Sequence, residues 1–270
     1  MDIKRTADQM VDWIRKYFGT TANESTKCVI GISGGKDSSC VAAAAVKALG
    51  KDRVIGVMMP NSIQSDIEDS IRVCELLGIK HYTVNIGDAY GALSEDIARE
   101  IYGKDAEYDG VSKMLTDTPL TPQYATNTPA RLRMATLYGV AAMIGNCRVV
   151  NTCNLSEDLV GYSTLYGDSA GDFAPLSKLY VDEVMAIAEY LGIPHELAYK
   201  TPSDGMCGKS DEDNLGFTYD EIKQVNENKI TTATPETVEK VRNRMKAYGW
   251  KVQLQNLPCF KPFERNPEAW

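Results

Sequence analysis

Histidine is almost missing from this chain: His81 and His195 are the two in 270 residues. A nucleophilic triad that turns on imidazole is therefore not expected, nor is a zinc site built on several imidazoles. Cysteine occurs seven times, at 28, 40, 74, 147, 153, 207 and 259, an odd number without a C-x-x-C spacing. Reduced and mostly buried thiols are expected, as in a cytoplasmic protein. No run of about 18 apolar residues is present to span a bilayer, and Met1-Asp2-Ile3-Lys4-Arg5 lacks the apolar stretch of a secretion signal. Basic residues are outnumbered, 29 Lys and Arg against 37 Asp and Glu, for a net charge of −8. That balance argues against nucleic acid or an anionic membrane as partner. The common nucleotide P-loop is missing too, since Gly35-Lys36 is followed by Asp37 and no Gly stands at the required earlier position.

What is present is a large stock of core residues, 43% of the chain, with no repeat, low-complexity tract or linker to divide it. A single domain over 1–270 is expected, with an N-terminal helix at about 1–18 and an irregular tail at about 249–270. Cys28-Val29-Ile30, the run from Arg53 to Met59, the run from His81 to Ile86 and the run from Cys147 to Thr152 read as strands. Helices are predicted from Cys40 to Leu49, about Ser65 to Leu77, Tyr90 to Tyr102 and Pro129 to about Ile144, with little periodicity between 103 and 127. Strands alternating with helices predict an α/β fold, a doubly wound parallel sheet flanked by helices. Ligands in such sheets bind beyond the carboxyl ends of the strands.

One stretch falls at that end with chemistry to offer. Gly31-Ile32-Ser33-Gly34-Gly35-Lys36-Asp37-Ser38-Ser39 runs from the first strand into a helix start. Gly34-Gly35 frees the backbone to turn its N–H groups into one concavity, the serines add hydroxyls, and the helix N-terminus favours an anion. A carboxylate inside a phosphate cradle repels its guest unless a cation lies between, so Asp37 points to Mg²⁺; as a plain βα turn, the same loop would use Asp37 as a helix-capping residue. After the fourth strand comes Asn151-Thr152-Cys153-Asn154-Leu155-Ser156-Glu157, and Glu157 reads either as a partner of Asp37 on that cation or as an ordinary helix-start carboxylate.

The Ser-Gly-Gly-x-Asp-Ser loop resembles that of the ATP pyrophosphatases, which attach AMP to a substrate oxygen and release pyrophosphate. Further stretches narrow the resemblance to the NAD synthetase family: Ala130-Arg131-Leu132-Arg133, the 151–157 strand end, Gly161-Tyr162-Ser163-Thr164-Leu165-Tyr166-Gly167-Asp168 with Asp172 and Pro175-Leu176, and the Pro202-Ser203 and Asp211-Glu212 to Tyr219 segments. The resemblance implies a Rossmann-like, adenine nucleotide alpha hydrolase-like fold and an ammonia-dependent amidation of deamido-NAD through an acyl adenylate. It implies that Gly31, Ser33, Gly34, Gly35, Lys36, Asp37, Ser38, Ser39, Thr152 and Ser203 hold ATP, with Gln64 on the adenine side. It further implies that Asp37 and Glu157 bind Mg²⁺, that Arg131, Asp168 and Asp172 contact deamido-NAD, and that the protein is a homodimer. Asp168 is assigned either to positioning or deprotonating ammonium or to substrate binding.

Departures from the family pattern fall on cations. Leu165 and Val181 stand where many members have lysine, and the late His-Lys-Arg is replaced by Gly249-Trp250-Lys251-Val252. Lys178 and Lys251 are read as substitutes or as ordinary surface lysines, with Lys251 the candidate for deamido-NAD. Glutamine-using members carry an amidase domain, for which this length leaves no room, so free ammonia is the expected donor. Two alternatives remain at this stage: another ATP pyrophosphatase, thiolating tRNA or resembling GMP synthetase, and a non-catalytic adenine-nucleotide sensor.

Overall fold

Apolar residues at helical spacing bury one side of α1 (Ile3–Thr21) through Ala7, Met10, Val11, Ile14 and Phe18. From there the chain alternates: β1 (Lys27–Gly31), α2 (Lys36–Leu49), β2 (Val54–Met58), α3 (Ile67–Leu77), β3 (Lys80–Thr83), α4 (Gly87–Tyr102), α5 (Pro122–Ile144) and β4 (Cys147–Val149). A helical half follows: α6 (Leu155–Val160), α7 (Val181–Tyr190), α8 (His195–Ala198), α9 (Asp211–Leu215), α10 (Tyr219–Asn226), α11 (Pro235–Tyr248) and α12 (Trp250–Gln253). The computed structural model describes residues 1–64, 66–103, 120–200, 210–253 and 257–262.

The strands form one parallel sheet in the order β3-β2-β1-β4. Because β1 and β2 are covered on both faces, their residues are apolar without alternation, and Cys28, Val29 and Ile30 are wholly buried. Each such aliphatic side chain contributes about 1.5–3 kcal/mol on leaving water. One face packs against α1, α2, α3, α7 and α8, with Ile30, Val41, Val73, Val184 and Leu197 in a common core. The other face packs Val29, Ile55 and Val57 against Met134, Leu137 and Ala141 of α5. A third core around Val160, Ile222 and Val241 joins α6, α10 and α11. The predicted doubly wound α/β fold is what the chain adopts.

The order of strands sets the site. The chain winds from β1 outward to β3, then returns to place β4 on the other side of β1. Its winding therefore reverses between β1 and β4, and the loops after those two strands separate to leave a crevice. The cradle follows β1 and the 151–157 segment follows β4, so both candidate stretches open into the same crevice.

Several boundaries differ from the sequence reading. Helix α2 begins at Lys36, ahead of Cys40, because the loop residues already take helical turns with Gly35 as N-cap. Helix α5 begins at Pro122, capped by Thr121, and Pro129 lies buried inside it. A proline is an ordinary helix start, and here Pro122 fills that role. Strand β3 ends at Thr83, although Val84 and Ile86 still donate to the Met58 and Pro60 carbonyls. Of the tail expected at about 249–270, the described residues include α12, the pairing of Cys259 with Ala174, and Phe260 fully buried beside Trp13.

The two glycines of the cradle are not equivalent. Gly34 has φ +76, and a Cβ there would lie 2.9 Å from Asp69 Cβ and from the Ser70 backbone nitrogen. Gly35 has an ordinary φ of −85, and a Cβ on it would meet only the Ser33 hydroxyl at 3.3 Å. Gly34→Ala is expected to cost about 2–4 kcal/mol of stability, and Gly35→Ala about 1 kcal/mol or less, measured by chemical denaturation. Equal losses at the two positions would show that the close approach to α3 is not what fixes the loop.

Candidate active site

The cradle is stiffened from within. Ser38 and Ser39 hydroxyls donate to the Gly35 carbonyl at 3.2 and 2.7 Å, Ser33 and Ser38 hydroxyls lie 3.2 Å apart, and the Gly35 N–H donates to Ser33 Oγ. Ser39 is fully buried and serves the loop itself. Gly31 sits at the carboxyl end of β1, where a side chain would press on Met59 and Leu137. Side chains cap the N-termini of α1, α5, α6, α9, α10 and α11. Helix α2 begins at Gly35, which has no side chain to cap it, as α3 and α4 also begin without a side-chain cap. No N-cap side chain therefore competes with an anion for the first-turn N–H groups of α2.

Asp37 sits in that first turn. Its Oδ1 accepts from Asn154 Nδ2 at 3.0 Å, which ties the β1 loop to the β4 loop. Its Oδ2 accepts from Lys36 Nζ at 2.8 Å. Glu157 is the N3 residue of α6 and closes a capping box, its Oε2 accepting from the Asn154 N–H at 3.1 Å. The capping alternative for Glu157 is therefore real, and the same carboxylate also faces Asp37. Burial and the Asp37 charge push the Glu157 carboxyl well above its usual range, with Lys36 and the Asn154 N–H opposing. Lys36 feels burial as a penalty on its charge, yet Asp37, Glu157 and Asp211 together raise it. Tyr219 completes the group: its hydroxyl donates to Asp211 Oδ2 at 2.9 Å, and its ring lies 5.9 Å from Lys36 Nζ.

Two neighbouring carboxylates, one held away from its ordinary ionisation by burial and by the charge of the other, are a donor set that gains from a hard divalent ion. Among the described residues no three His, Cys, Asp or Glu side chains converge as a ready-made metal cage. Two carboxylates suit Mg²⁺, which keeps water and substrate phosphate for the rest of its shell.

The remaining predicted residues divide. Arg131 Nε donates to the Leu165 carbonyl at 3.1 Å, and Lys251 Nζ donates to the Gly161 and Ser163 carbonyls at 3.0 and 3.1 Å. Both cations thus converge on the 161–169 loop. Burial together with the neighbouring Arg244 and Arg131 charges lowers the Lys251 ammonium, with Asp168 opposing. Asp168 is held in that loop by the Thr164 N–H at 2.9 Å; burial raises its carboxyl and that N–H lowers it. Asp172 lies along the outer edge of β4, its oxygens taken by the Val149 N–H at 2.7 Å and the Tyr138 hydroxyl at 3.0 Å. Lys178 faces Asp158 and favours its ionised form. Gln64 donates to Asp66 at 3.0 Å, beside the Lys200 bridges to Asp66 and Asp69. Thr152 is partly buried in the bend between β4 and α6, and Ser203 lies outside the described residues.

Four residues were not singled out by the sequence reading: Asn154, Asp211, Tyr219 and Arg133. Each lies inside a quoted motif, so the signal was present but unassigned. Arg133 is two residues from Arg131, reaches the opposite side of α5, and donates to the Met59 carbonyl at 3.0 Å at the end of β2. Burial lowers its guanidinium, with Asp168 opposing.

An anion cradle and a carboxylate pair at the switch point of a parallel sheet define a nucleotide-binding α/β protein. Comparison with known proteins narrows the class. The NAD synthase family matches residues 6–254, and the chain belongs to that family. The NH(3)-dependent NAD(+) synthetase of Pyrococcus furiosus is 36% identical over 220 residues, covering 81% of this chain and 76% of that protein. Its counterpart in Methanocaldococcus jannaschii is 36% identical over 244 residues, covering 87% and 86%. Among solved structures, NMN synthetase from Francisella tularensis is similar with a TM-score of 0.79 at 30% identity, covering 96% of this chain and 100% of that one. The NH3-dependent NAD synthetase of Campylobacter jejuni is similar with a TM-score of 0.71 at 28% identity, covering 93% and 96%. The fold is the Rossmann-like adenine nucleotide alpha hydrolase fold these structures share.

Asn154 both caps α6 and anchors Asp37, and the two duties are separable. Asn154→Ala is expected to lose about 1–2 kcal/mol in thermal or chemical denaturation. Asn154→Ser should recover most of that stability by restoring the cap while leaving turnover low, since serine is too short to reach Asp37. Full turnover in the serine variant would dismiss the anchoring role.

Proposed function

We propose that this chain is an ammonia-dependent ligase that uses ATP to convert the carboxylate of deamido-NAD to the amide of NAD⁺, releasing AMP and pyrophosphate, the last step of NAD biosynthesis. The observation that carries the reading is the meeting of an anion cradle with Asp37 and Glu157 in one crevice, in a chain of the NAD synthase family. Relatives named as NH(3)-dependent support ammonia as nitrogen donor.

A carboxylate resists attack by ammonia because its carbon is poorly electrophilic. In the proposed route a nicotinate carboxylate oxygen attacks the α-phosphorus of ATP, and the bond to the bridging oxygen of the β-phosphate breaks. The α2 N–H groups with Gly31, Ser33, Gly34, Gly35, Lys36 and Ser38 hold the departing pyrophosphate, and Ser39 braces the loop behind them. Thr152, Gln64 and Ser203 are assigned to the rest of the nucleotide. Asp37 and Glu157 would hold Mg²⁺, which when bound offsets the charge of the phosphates. Ammonia then attacks the acyl carbon, and the acyl–oxygen bond to AMP breaks. Asp168 positions the incoming ammonium and takes its proton; a carboxyl raised by burial is suited to accept one. Arg131, Lys251 and Asp172 are assigned to the dinucleotide. No side-chain nucleophile is needed, which accords with a chain so poor in histidine.

One observation favours a second, smaller acceptor. The similar Francisella tularensis structure is named an NMN synthetase and is matched over its whole length, and Leu165 and Val181 leave this chain without two cations that many family members would offer to substrate phosphates. Nicotinate mononucleotide is therefore the rival substrate. A homodimer is supported by Leu93, Ile97 and Ile101, which form an exposed apolar stripe at i, i+4 and i+8 on α4, and by exposed Met143 on α5. Free thiols at the six described cysteines suit the cytoplasm, and no described helix is long and apolar enough to cross a membrane.

The test is an assay with ATP, Mg²⁺ and ammonium, following AMP and amide product. Deamido-NAD should give a kcat/KM at least tenfold above nicotinate mononucleotide, and the reverse order moves the assignment to the mononucleotide. ATP binding without AMP release from either acceptor would make the protein a sensor. Asp37→Ala is expected to lower turnover by a factor of a thousand or more while the far-UV circular dichroism is unchanged.

A further inference from the structure

The position between Gly35 and Asp37 is the open one of the Ser-Gly-Gly-x-Asp-Ser pattern, and here it carries a lysine. Lys36 is the first residue of α2, yet its side chain is only 4% exposed. A lysine is buried to that degree only when it has partners. Its ammonium bonds Asp37 Oδ2 at 2.8 Å, lies within the field of Glu157 and Asp211, and stands 5.9 Å from the Tyr219 ring. Asp37 Oδ1 is meanwhile taken by Asn154. Both oxygens of the candidate metal ligand are thus engaged by protein donors, one of them a cation built into the chain.

We propose that Lys36 is a resident counter-ion that closes the divalent-cation site of the nucleotide-free protein, so that metal enters only together with the triphosphate. The proposal rests on the reading of Asp37 and Glu157 as metal ligands. A free divalent ion must break a buried ion pair and strand the ammonium among carboxylates it no longer contacts. ATP removes that obstacle, because its phosphate oxygens offer the ammonium a new anion as it leaves Asp37. Metal and nucleotide then favour each other's binding through one side chain, a reciprocal coupling. With an uncharged residue of similar length at 36, the opposed carboxylates would instead collect a divalent ion unaided, as the cheapest relief of their repulsion.

Mn²⁺ binding to the full chain without nucleotide, followed by loss of the free-ion electron paramagnetic resonance signal, tests this. Lys36→Met is expected to bind Mn²⁺ at least tenfold more tightly than the wild type, and its melting temperature should rise with Mn²⁺ where that of the wild type stays flat. Adding Asp37→Asn to Lys36→Met should abolish the gain. Equal affinity in wild type and Lys36→Met overturns the proposal; if Asp37→Asn then abolishes binding in both, the metal-site reading survives it. Mn²⁺ binding indifferent to Asp37→Asn overturns that reading, and the proposal with it. A wild-type melting temperature raised by Mn²⁺ alone overturns the proposal without recourse to any variant.

Discussion

The hydrogen bond from Asn154 to Asp37 is the contact on which the crevice depends. It crosses the gap left where the sheet reverses its winding, and it joins a loop that follows β1 to a loop that follows β4. Asn154 can reach because it is itself fixed as the N-cap of α6, receiving the Glu157 N–H at its side chain while its own N–H is held by Glu157. One asparagine thereby sets the position of both candidate metal carboxylates relative to the cradle. A helix cap, usually a device of local stability, here becomes the means by which two distant strands share one site.

Electrostatics then decide what the crevice wants. The charges of Asp37, Glu157 and Asp211 all bear on the buried ammonium of Lys36, while the Tyr219 hydroxyl donates to Asp211 and its ring lies near Lys36. Around the 161–169 loop the sign is reversed: Lys251 and Arg133 act on Asp168, Arg131 holds the Leu165 carbonyl, and Arg244 lies within the field of Lys251. A negative basin beside the cradle and a positive rim along the neighbouring loop suit a metal–phosphate group at one end and a second phosphorylated substrate at the other.

Much of this was legible in the residues themselves. The run Cys28-Val29-Ile30 and the glycines and serines after it announced a strand entering an anion-binding turn, because each of those signals is local. The same locality explains where reading stopped. Asn154 looked like one polar residue in a strand end, since its partner Asp37 is far along the chain. Asp211 and Tyr219 were seen as parts of a motif, but nothing in their spacing says that they close around Lys36. Pro129 looked like a helix start because the sequence cannot show that Thr121 and Pro122 have already begun the helix. Asp172 read as a ligand contact, and nothing in its motif says that its carboxylate also receives the Val149 N–H at the outer edge of β4, a need that exists only once strand order is known.

The contact that unites the crevice spans 117 residues of chain, and this has a consequence for how the molecule assembles. Strands β1, β2 and β3 are close in sequence and can zip together through short crossovers, while β4 must be brought back across the whole of α4 and α5. Closing so long a loop is slow and is rewarded only at the end. A refolding chain would therefore regain most of its sheet signal before it can grip a nucleotide, and heat or denaturant would erase the grip first.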